Sequence, residues 1–309
     1  MNAKLGISAK AFVALVFLFL YLPILVIVVY SFNSNPSANS ADFQGFTTLW
    51  YTQIANDYST LKSLVTSFEV AIGSVAVSLV VGVPAGVVLA KVDFPGRRLF
   101  DSVMFLPLLL PEIVLGLAFM SFYSLVGIPF GNVSLIVAHT TFCLPYVIIL
   151  VSTRLAGSDS NLLEAARDLG ANWWQTFLVA TLPVIAPAIA SAAVLSFALS
   201  FDDVIISYFT AGASSATLPM LIYSQVKLHP MPSMKALCSL IILASVAAVL
   251  LFYLVKLALR KRTEGRRRGT LKPARATERE KPRKAPGCSP AAPGPAFAGV
   301  FPALDSEGS

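Results

Sequence analysis

Six apolar runs of about 20 residues each limit what this chain can fold into. The chain has 309 residues, of which 56% are hydrophobic and only 13% are charged, and its mean hydropathy is +0.75. A run of this length crosses a bilayer as a helix, whereas soluble domains carry about twice as much charge. The sequence therefore predicts an all-α membrane protein with six transmembrane helices, at residues 11–30, 64–90, 99–123, 131–152, 184–207 and 236–259.

The charges between these runs predict which side of the membrane each loop faces, because Lys and Arg are enriched in cytoplasmic loops. Only Lys62, Lys227 and Lys235 fall in the loops after the first and fifth runs. The N-terminal segment and the loops after the second and fourth runs hold seven basic residues: Lys4, Lys10, Lys91, Arg97, Arg98, Arg154 and Arg167. Both termini are therefore predicted to be cytoplasmic. The first run is longer than the apolar core of a signal peptide and is predicted to be retained as a span.

A change of composition after Arg262 predicts two parts. Residues 1–262 form the six-helix transmembrane domain, and residues 263–309, rich in Arg, Lys, Pro, Ala and Gly, form a basic, disordered cytoplasmic tail. More than half of the 23 Lys and Arg residues lie from Lys256 onward. The net charge of +7 is thus explained by positive-inside topology and contact with membrane lipid, and it does not indicate nucleic-acid binding.

The sequence lacks the residue patterns of an enzyme or a metalloprotein. Its three cysteines, Cys143, Cys238 and Cys288, form neither a disulfide framework nor a metal-binding spacing. It has no phosphate-binding P-loop, and with only two histidines a Ser-His-Asp triad is implausible. We therefore expect no catalytic residues, no metal and no cofactor.

The stretch between the fourth and fifth runs, residues 161–183, is too polar to span a membrane. It predicts a short helix that ends at Gly170, followed by a second helix from Trp173 to Ala180. One interpretation is an amphipathic loop lying on the membrane surface. The other depends on the spacing of six residues in or beside these helices, Glu164, Ala165, Ala166, Gly170, Leu182 and Pro183.

This spacing resembles the cytoplasmic loop signature of permease subunits of ATP-binding-cassette (ABC) importers. Ala180 stands where the family usually has Ile. The resemblance implies that a coupling loop, at about residues 153–183, docks into a separate ATPase subunit and transmits its closure. It also implies that ATP hydrolysis belongs to that subunit.

Acidic residues inside the predicted spans suggest a pathway for solute. Glu112 lies about 13 residues into the third run, and Asp202 and Asp203 lie near the end of the fifth. Carboxylates in a membrane are costly and usually face a cavity or a partner. No Lys or Arg lies at a similar depth, so these acids are predicted to line a pathway for a cationic solute. Tyr208 and Tyr223 would add cation–π contacts.

Other roles for these polar residues remain open at this stage. The acids would also be satisfied by capping helix ends, by hydrogen bonds to Ser or Tyr, or by a position among lipid headgroups. Asp202 and Asp203 differ by about 100° around a helix, so at most one of them needs to face a pathway. His139 is predicted to be a hydrogen-bonded packing residue rather than a ligand.

Two longer segments sharpen the resemblance. PLLLPEIVLGL in the third run, and SFDDVIISYFTAGASSATLPMLIYSQVK from the end of the fifth run into the segment that follows it, are similar to the second permease subunit of polyamine importers. That family implies the type I ABC importer permease fold, alternating access and a bacterial inner-membrane location. Its partners are a second permease, two ATPase subunits and a periplasmic solute-binding protein. Remaining alternatives are an ABC permease for another solute, an ion-coupled secondary transporter and a non-transporting scaffold.

Overall fold

The computed structural model describes residues 7–37, 42–158, 168–228 and 231–270, and these parts are largely helical. The helices, in chain order, are α1 (Ile7–Tyr30), α2 (Leu49–Ala55), α3 (Tyr58–Lys91), α4 (Arg97–Leu109), α5 (Glu112–Val126), α6 (Asn132–Ala156), α7 (Trp173–Asp202), α8 (Ile205–Thr210), α9 (Leu218–Leu228) and α10 (Pro232–Thr270). One isolated antiparallel bridge joins Asn33 to Phe46 in the loop after α1.

Five of the helices are long and apolar enough to cross a membrane: α1, α3, α6, α7 and the Pro232–Leu251 part of α10. These helices confirm five of the predicted spans. The third span differs from its prediction, because α4 and α5 meet at an angle of 108°. Leu110 between them is extended, with φ −83° and ψ 140°. Pro111 explains the break, since a proline disfavours the helical conformation in the residue before it.

The helices α3, α6 and α7 pack together as the centre of the molecule. Their shared core includes Val83, Val147, Val151 and Ile185. Three glycines of α3, Gly73, Gly82 and Gly86, let α6 approach closely. A Cβ added at Gly82 would lie 2.8 Å from a methyl group of Val147. Close approach through small residues is a common way to pack helices inside a membrane.

A second buried cluster joins α5 and α8 to α6. It includes Leu115, Phe142, Cys143 and Ile206. The Tyr123 hydroxyl of α5 donates a hydrogen bond of 3.0 Å to the Ser134 carbonyl of α6. This cluster holds two of the elements that carry predicted solute-pathway residues, with Glu112 on α5 and Tyr208 on α8.

Helix α1 makes little contact with the rest of the chain along its length. Its most apolar 18-residue window is 0% buried. Within the described residues, hydrogen bonds join the end of α1 to the loop and helix that follow it. The Ser31 and Tyr51 hydroxyls lie 2.7 Å apart, and the Trp50 indole donates to the Asn33 carbonyl at 2.7 Å. The outer surface of α1 is therefore available to lipid or to another chain.

Helix α10 extends to Thr270, beyond the predicted start of a disordered tail at residue 263. The Arg, Lys and Glu residues of this segment favour a helix, and the first proline after it is Pro273. The prediction of disorder for residues 271–309 lies outside the described residues. By its internal contacts the chain divides into two compact units, Met1–Ala248 and Val249–Ser309, and the candidate site lies in the first.

Candidate functional site

The chain breaks between α7 and α8, inside the segment predicted as a single fifth span. Helix α7 ends at Asp202 and α8 begins at Ile205. The Asp203 side chain is only 5% exposed. Its two carboxylate oxygens accept the amides of Ile206 at 3.3 Å and Ser207 at 2.7 Å. Asp203 thus caps the first turn of α8, whose amides have no partners within the helix.

Asp203 also belongs to a chain of buried polar groups. His139 of α6 is 1% exposed, and its Nε2 lies 3.3 Å from an Asp203 carboxylate oxygen. The same nitrogen lies 3.1 Å from the Ser207 hydroxyl. The other ring nitrogen lies 2.7 Å from the Ser200 hydroxyl, which in turn accepts from Ser74 of α3 at 3.0 Å. This geometry confirms His139 as a hydrogen-bonded packing residue and gives Asp203 a partner within the chain.

Glu112 lies at the other break, in the first turn of α5 immediately after Pro111. It is exposed to solvent in the structure. A negative charge is favoured at a helix N-terminus by the helix dipole. Because α4 and α5 meet at 108°, Glu112 does not lie partway along one straight third span, as counting its position from residue 99 assumes.

The two acids precede elements that pack together beside the same helix. Asp203 contacts α6 at His139. Leu115, three residues after Glu112, and Ile206, three residues after Asp203, belong to one buried cluster with Phe142 of α6. The fold therefore brings the first turns of α5 and α8, which follow these acids, into one region beside α6.

An open pocket of about 890 Å³ lies between the second half of α5 and α8. Tyr208, which is 61% exposed, forms part of its wall. The neighbouring ring of Phe209 packs against Gly116 so closely that an added Cβ there would lie 2.5 Å from it. The pocket is lined by Met120, Ser121, Ser124, Leu125, Phe130, Tyr208, Phe209 and Ala211. Hydroxyl groups and aromatic rings with no basic residue among them suit an organic cation.

The remaining predicted pathway residues lie in different surroundings. Asp202 is the exposed last residue of α7. Tyr223 lies on α9, which packs on α3. The Lys227 ammonium lies 5.4 Å from the centre of the Tyr223 ring, so a cation of the same helix already occupies that face. Another acid, Glu69 of α3, accepts a hydrogen bond of 2.8 Å from Asn132.

Only part of the predicted coupling loop lies within the described residues. Glu164, Ala165 and Ala166 fall outside them. Gly170 has a φ of +81°, the left-handed conformation that the sequence predicts for a residue ending a helix. The Asn172 side chain then accepts the Gln175 amide at 2.8 Å and caps the start of α7.

The sequence predicts that the second helix of this loop ends at Ala180, before Pro183. In the structure this helix instead continues into the fifth span. A π-helical turn, Phe177–Thr181, connects the two parts, so Leu182 and Pro183 lie inside one long helix. Pro183 is tolerated because it lies at the start of the α-helical part, where its missing amide removes no α-helical bond. Trp173 and Trp174 are exposed in the first turn.

Sequence reasoning missed the partners of His139 and the lining of the pocket. Ser200 and Ser207 are common residues in a membrane span, and nothing in their spacing indicates a contact with a histidine more than 60 residues away. Gly116 carries a weak signal, since a glycine in an apolar helix often marks a close contact. Among the described residues, no three His, Cys, Asp or Glu side chains come together as metal ligands do.

These features define an integral membrane protein with a buried polar chain and an open pocket among its helices. The family model for the binding-protein-dependent transport system inner membrane component matches residues 82–266. This match covers more than half of the chain, from the middle of α3 into α10. The chain therefore belongs to this family of inner-membrane transport components.

Characterised relatives are similar over most of their length. The spermidine/putrescine transport system permease protein PotC of Escherichia coli K12 is 37% identical over 235 residues, which cover 76% of this chain and 87% of PotC. PotC of Haemophilus influenzae is 36% identical over 245 residues, covering 79% and 95%. The putrescine transport system permease protein PotI of E. coli K12 is 35% identical over 241 residues, covering 75% and 85%.

Solved structures show the same fold at lower identity. A bacterial ABC transporter involved in the import of the acidic polysaccharide alginate matches with a TM-score of 0.64 and 20% identity, covering 82% of this chain and 95% of that chain. The alginate transporter in complex with its pentasaccharide-bound periplasmic protein matches with a TM-score of 0.59. The chain is thus a multi-pass permease of the bacterial inner membrane with the ABC importer permease fold, and its family is one of transport proteins rather than enzymes.

Proposed function

We propose that this chain is one of two permease subunits in an ATP-driven importer of polyamines such as putrescine and spermidine. The observation that carries the proposal is the placement of two acids and an aromatic pocket along α5 and α8, in a chain 35–37% identical to polyamine permeases. Polyamines are flexible chains that carry ammonium groups, and such groups bind to carboxylates and to the faces of aromatic rings.

The proposed solute path runs along α5 and α8. Exposed Glu112 and Asp202 supply negative charge that the solute meets directly, whereas Tyr208 offers an exposed ring at the pocket. Asp203 acts from a buried position, and its charge is shared with the α8 amides and His139. Tyr223 contributes when Lys227 moves off its ring, because a cationic solute and the lysine would compete for one face.

Energy is proposed to enter through the loop that precedes α7. The Glu164-Ala165-Ala166 segment, with Gly170, Leu182 and Pro183, docks on a cytoplasmic ATPase subunit, and both termini lie on that side. Exposed Trp173 and Trp174 extend the apolar surface available there. Since α7 is continuous from Trp173 to Asp202, a tilt of its first turn would be carried to the break at Asp203. A periplasmic solute-binding protein delivers the polyamine on the opposite side.

Uptake of radiolabelled putrescine and spermidine in cells that express the full assembly tests this proposal. We expect Glu112→Gln to raise KM by about tenfold, because a charge-assisted contact with an ammonium is lost. Glu69→Gln is the matched control, since Glu69 is an exposed acid of a span that already has a protein partner. It should leave KM within about twofold.

Two results would count against the proposed function. Uptake that continues after the ATPase subunit is inactivated would indicate an ion-coupled secondary transporter. A wild-type assembly that imports neither polyamine would leave the family intact and would remove the proposed solute.

A further inference from the structure

Helix α8 is a single short helix of six residues between the break that follows α7 and the wall of the pocket. It follows the break at Asp203 and Val204 and supplies Tyr208 and Phe209 to the pocket wall. Six residues cannot form a stable helix by themselves, because nucleating a helix is unfavourable. The conformation of this part of the wall therefore depends on the groups that hold α8.

The strongest of these groups form the buried polar chain described above. When the Nε2 atom of His139 carries a proton and Nδ1 accepts a hydrogen bond, every link of the chain has one donor and one acceptor. Ser74 donates to Ser200, the Ser200 hydroxyl donates to His139 Nδ1, and His139 Nε2 donates to the Asp203 carboxylate. The Asp203 carboxylate then accepts the first amides of α8. Four helices, α3, α6, α7 and α8, are connected in this way.

We propose that His139, Ser200 and Asp203 are positioning residues of the solute pocket: they fix α8 at the break and thereby set the affinity of its aromatic wall for an organic ammonium ion. The pocket as a solute site rests on the proposed function, whereas the clamp on α8 does not. The contact with solute is made by Tyr208, and the three positioning residues act through the helix that carries it.

Ser196 lies one turn before Ser200 on α7, and a comparison of the two shows that the polar chain is more than the burial of small polar residues. Ser196 and Ser200 are both buried, at 0% and 5% exposure. The Ser196 hydroxyl has no hydrogen-bond partner, whereas the Ser200 hydroxyl joins Ser74 to His139. Ser196→Ala and Ser200→Ala are therefore matched substitutions, of which only the second breaks the chain.

The first measurement is amide hydrogen exchange in the complete transporter reconstituted in lipid nanodiscs, followed in the peptide that covers α8. We expect Ser200→Ala and His139→Leu to speed exchange at Ile206 and Ser207 by about three- to tenfold, and Ser196→Ala to leave it unchanged. His139→Gln should restore slow exchange, because its amide can donate to Asp203 while its carbonyl oxygen accepts from Ser200. This readout requires no transport.

The second measurement is the concentration dependence of putrescine uptake by the same variants at matched membrane abundance. A loosened pocket wall predicts a KM raised about three- to tenfold in Ser200→Ala, with little change in the maximum rate. Simple misfolding would instead lower the amount of transporter and the maximum rate. Ser196→Ala again provides the control.

The two readouts separate the two proposals. Altered α8 exchange together with a raised KM supports the positioning role. Unaltered exchange in Ser200→Ala and His139→Leu overturns that role, even if KM is raised, and altered exchange with an unchanged KM shows that α8 does not set the affinity. Altered exchange in a transporter whose wild type imports no polyamine supports the clamp on α8 and overturns the proposed solute.

Discussion

The chain contains two helix breaks that each carry an acid, and the two differ in what surrounds the acid. At the α7–α8 break, Asp203 is buried and bonded to two amides and a histidine. At the α4–α5 break, Glu112 is exposed at the start of a helix, and no side chain caps the amides of that helix. Buried polar groups stabilise a fold when all of them are satisfied, and an exposed charge contributes little. The Asp203 carboxylate is therefore held by its partners, whereas the Glu112 carboxylate is accessible from outside the chain.

The largest expected effect separates the two acids by stability. Asp203→Leu leaves two amides of the first turn of α8 without their side-chain acceptor and removes the carboxylate beside His139, so the free energy of unfolding should fall by about 3 kcal/mol or more. Glu112→Leu should change it by less than about 0.5 kcal/mol. Thermal unfolding of the purified transporter in detergent, with membrane abundance as a second readout, measures both. Equal losses would show that the two breaks do not differ as described.

A smaller effect is expected where α5, which begins at the exposed break, packs on α8, which begins at the buried one. Gly116→Ala would place a methyl group 2.5 Å from the Phe209 ring. Overpacking of this kind should cost about 1–3 kcal/mol. The double variant with Phe209→Ala should recover part of that loss.

Gly131→Ala is the control for this substitution, because an added Cβ there meets no atom within 4 Å. The same unfolding assay applies to all three variants. A Gly116→Ala protein as stable as the control would indicate that α5 and α8 can separate without cost, and the pocket between them would then be adaptable.

The smallest effect concerns a second acidic cap, Asp57, which precedes α3 outside the membrane span. The Thr60 hydroxyl, helped by the amides of Thr60 and Ser59, lowers the pKa of Asp57. A lowered pKa means that the charged cap stabilises the fold above about pH 3.9, the ordinary value, and that this contribution is lost as pH falls through the lower folded value.

Asp57→Asn should therefore be slightly less stable than wild type at pH 7, and the difference should shrink as pH falls below about 4. Unfolding temperatures of the two proteins between pH 3 and pH 7 measure it. A difference that stays constant across this range would mean that the charge of Asp57 is not what stabilises the cap.

The spans could be predicted from the sequence because their length and apolarity are set by the bilayer, whatever the neighbouring helices do. The bend at Leu110 was signalled by Pro111, but a proline within an apolar run is compatible with both a kink and a full break. The angle is fixed by packing of α5 on α6 and α8, which the sequence does not contain in any local pattern.

The acids show the same limit in chemical terms. Carboxylates at positions 112 and 203 predict a free-energy cost of placing charge in a membrane span. They do not predict which groups offset that cost. His139 was correctly predicted to be hydrogen-bonded, whereas its partners lie 61 and 68 residues away. Contacts over such separations depend on the tertiary fold, so a buried cap and a solute ligand look alike until the chain is folded.

The bare surface of α1 has a consequence for how the protein is made. A helix in lipid satisfies its own backbone hydrogen bonds, and α1 draws on no other span for burial. It can therefore enter the membrane as soon as it is synthesised and wait there while the remaining helices follow. The loop after it, fixed by Ser31, Asn33, Trp50 and Tyr51, joins this early helix to the later bundle. Packing of the core of α3, α6 and α7 then follows the insertion of α1 and does not depend on it.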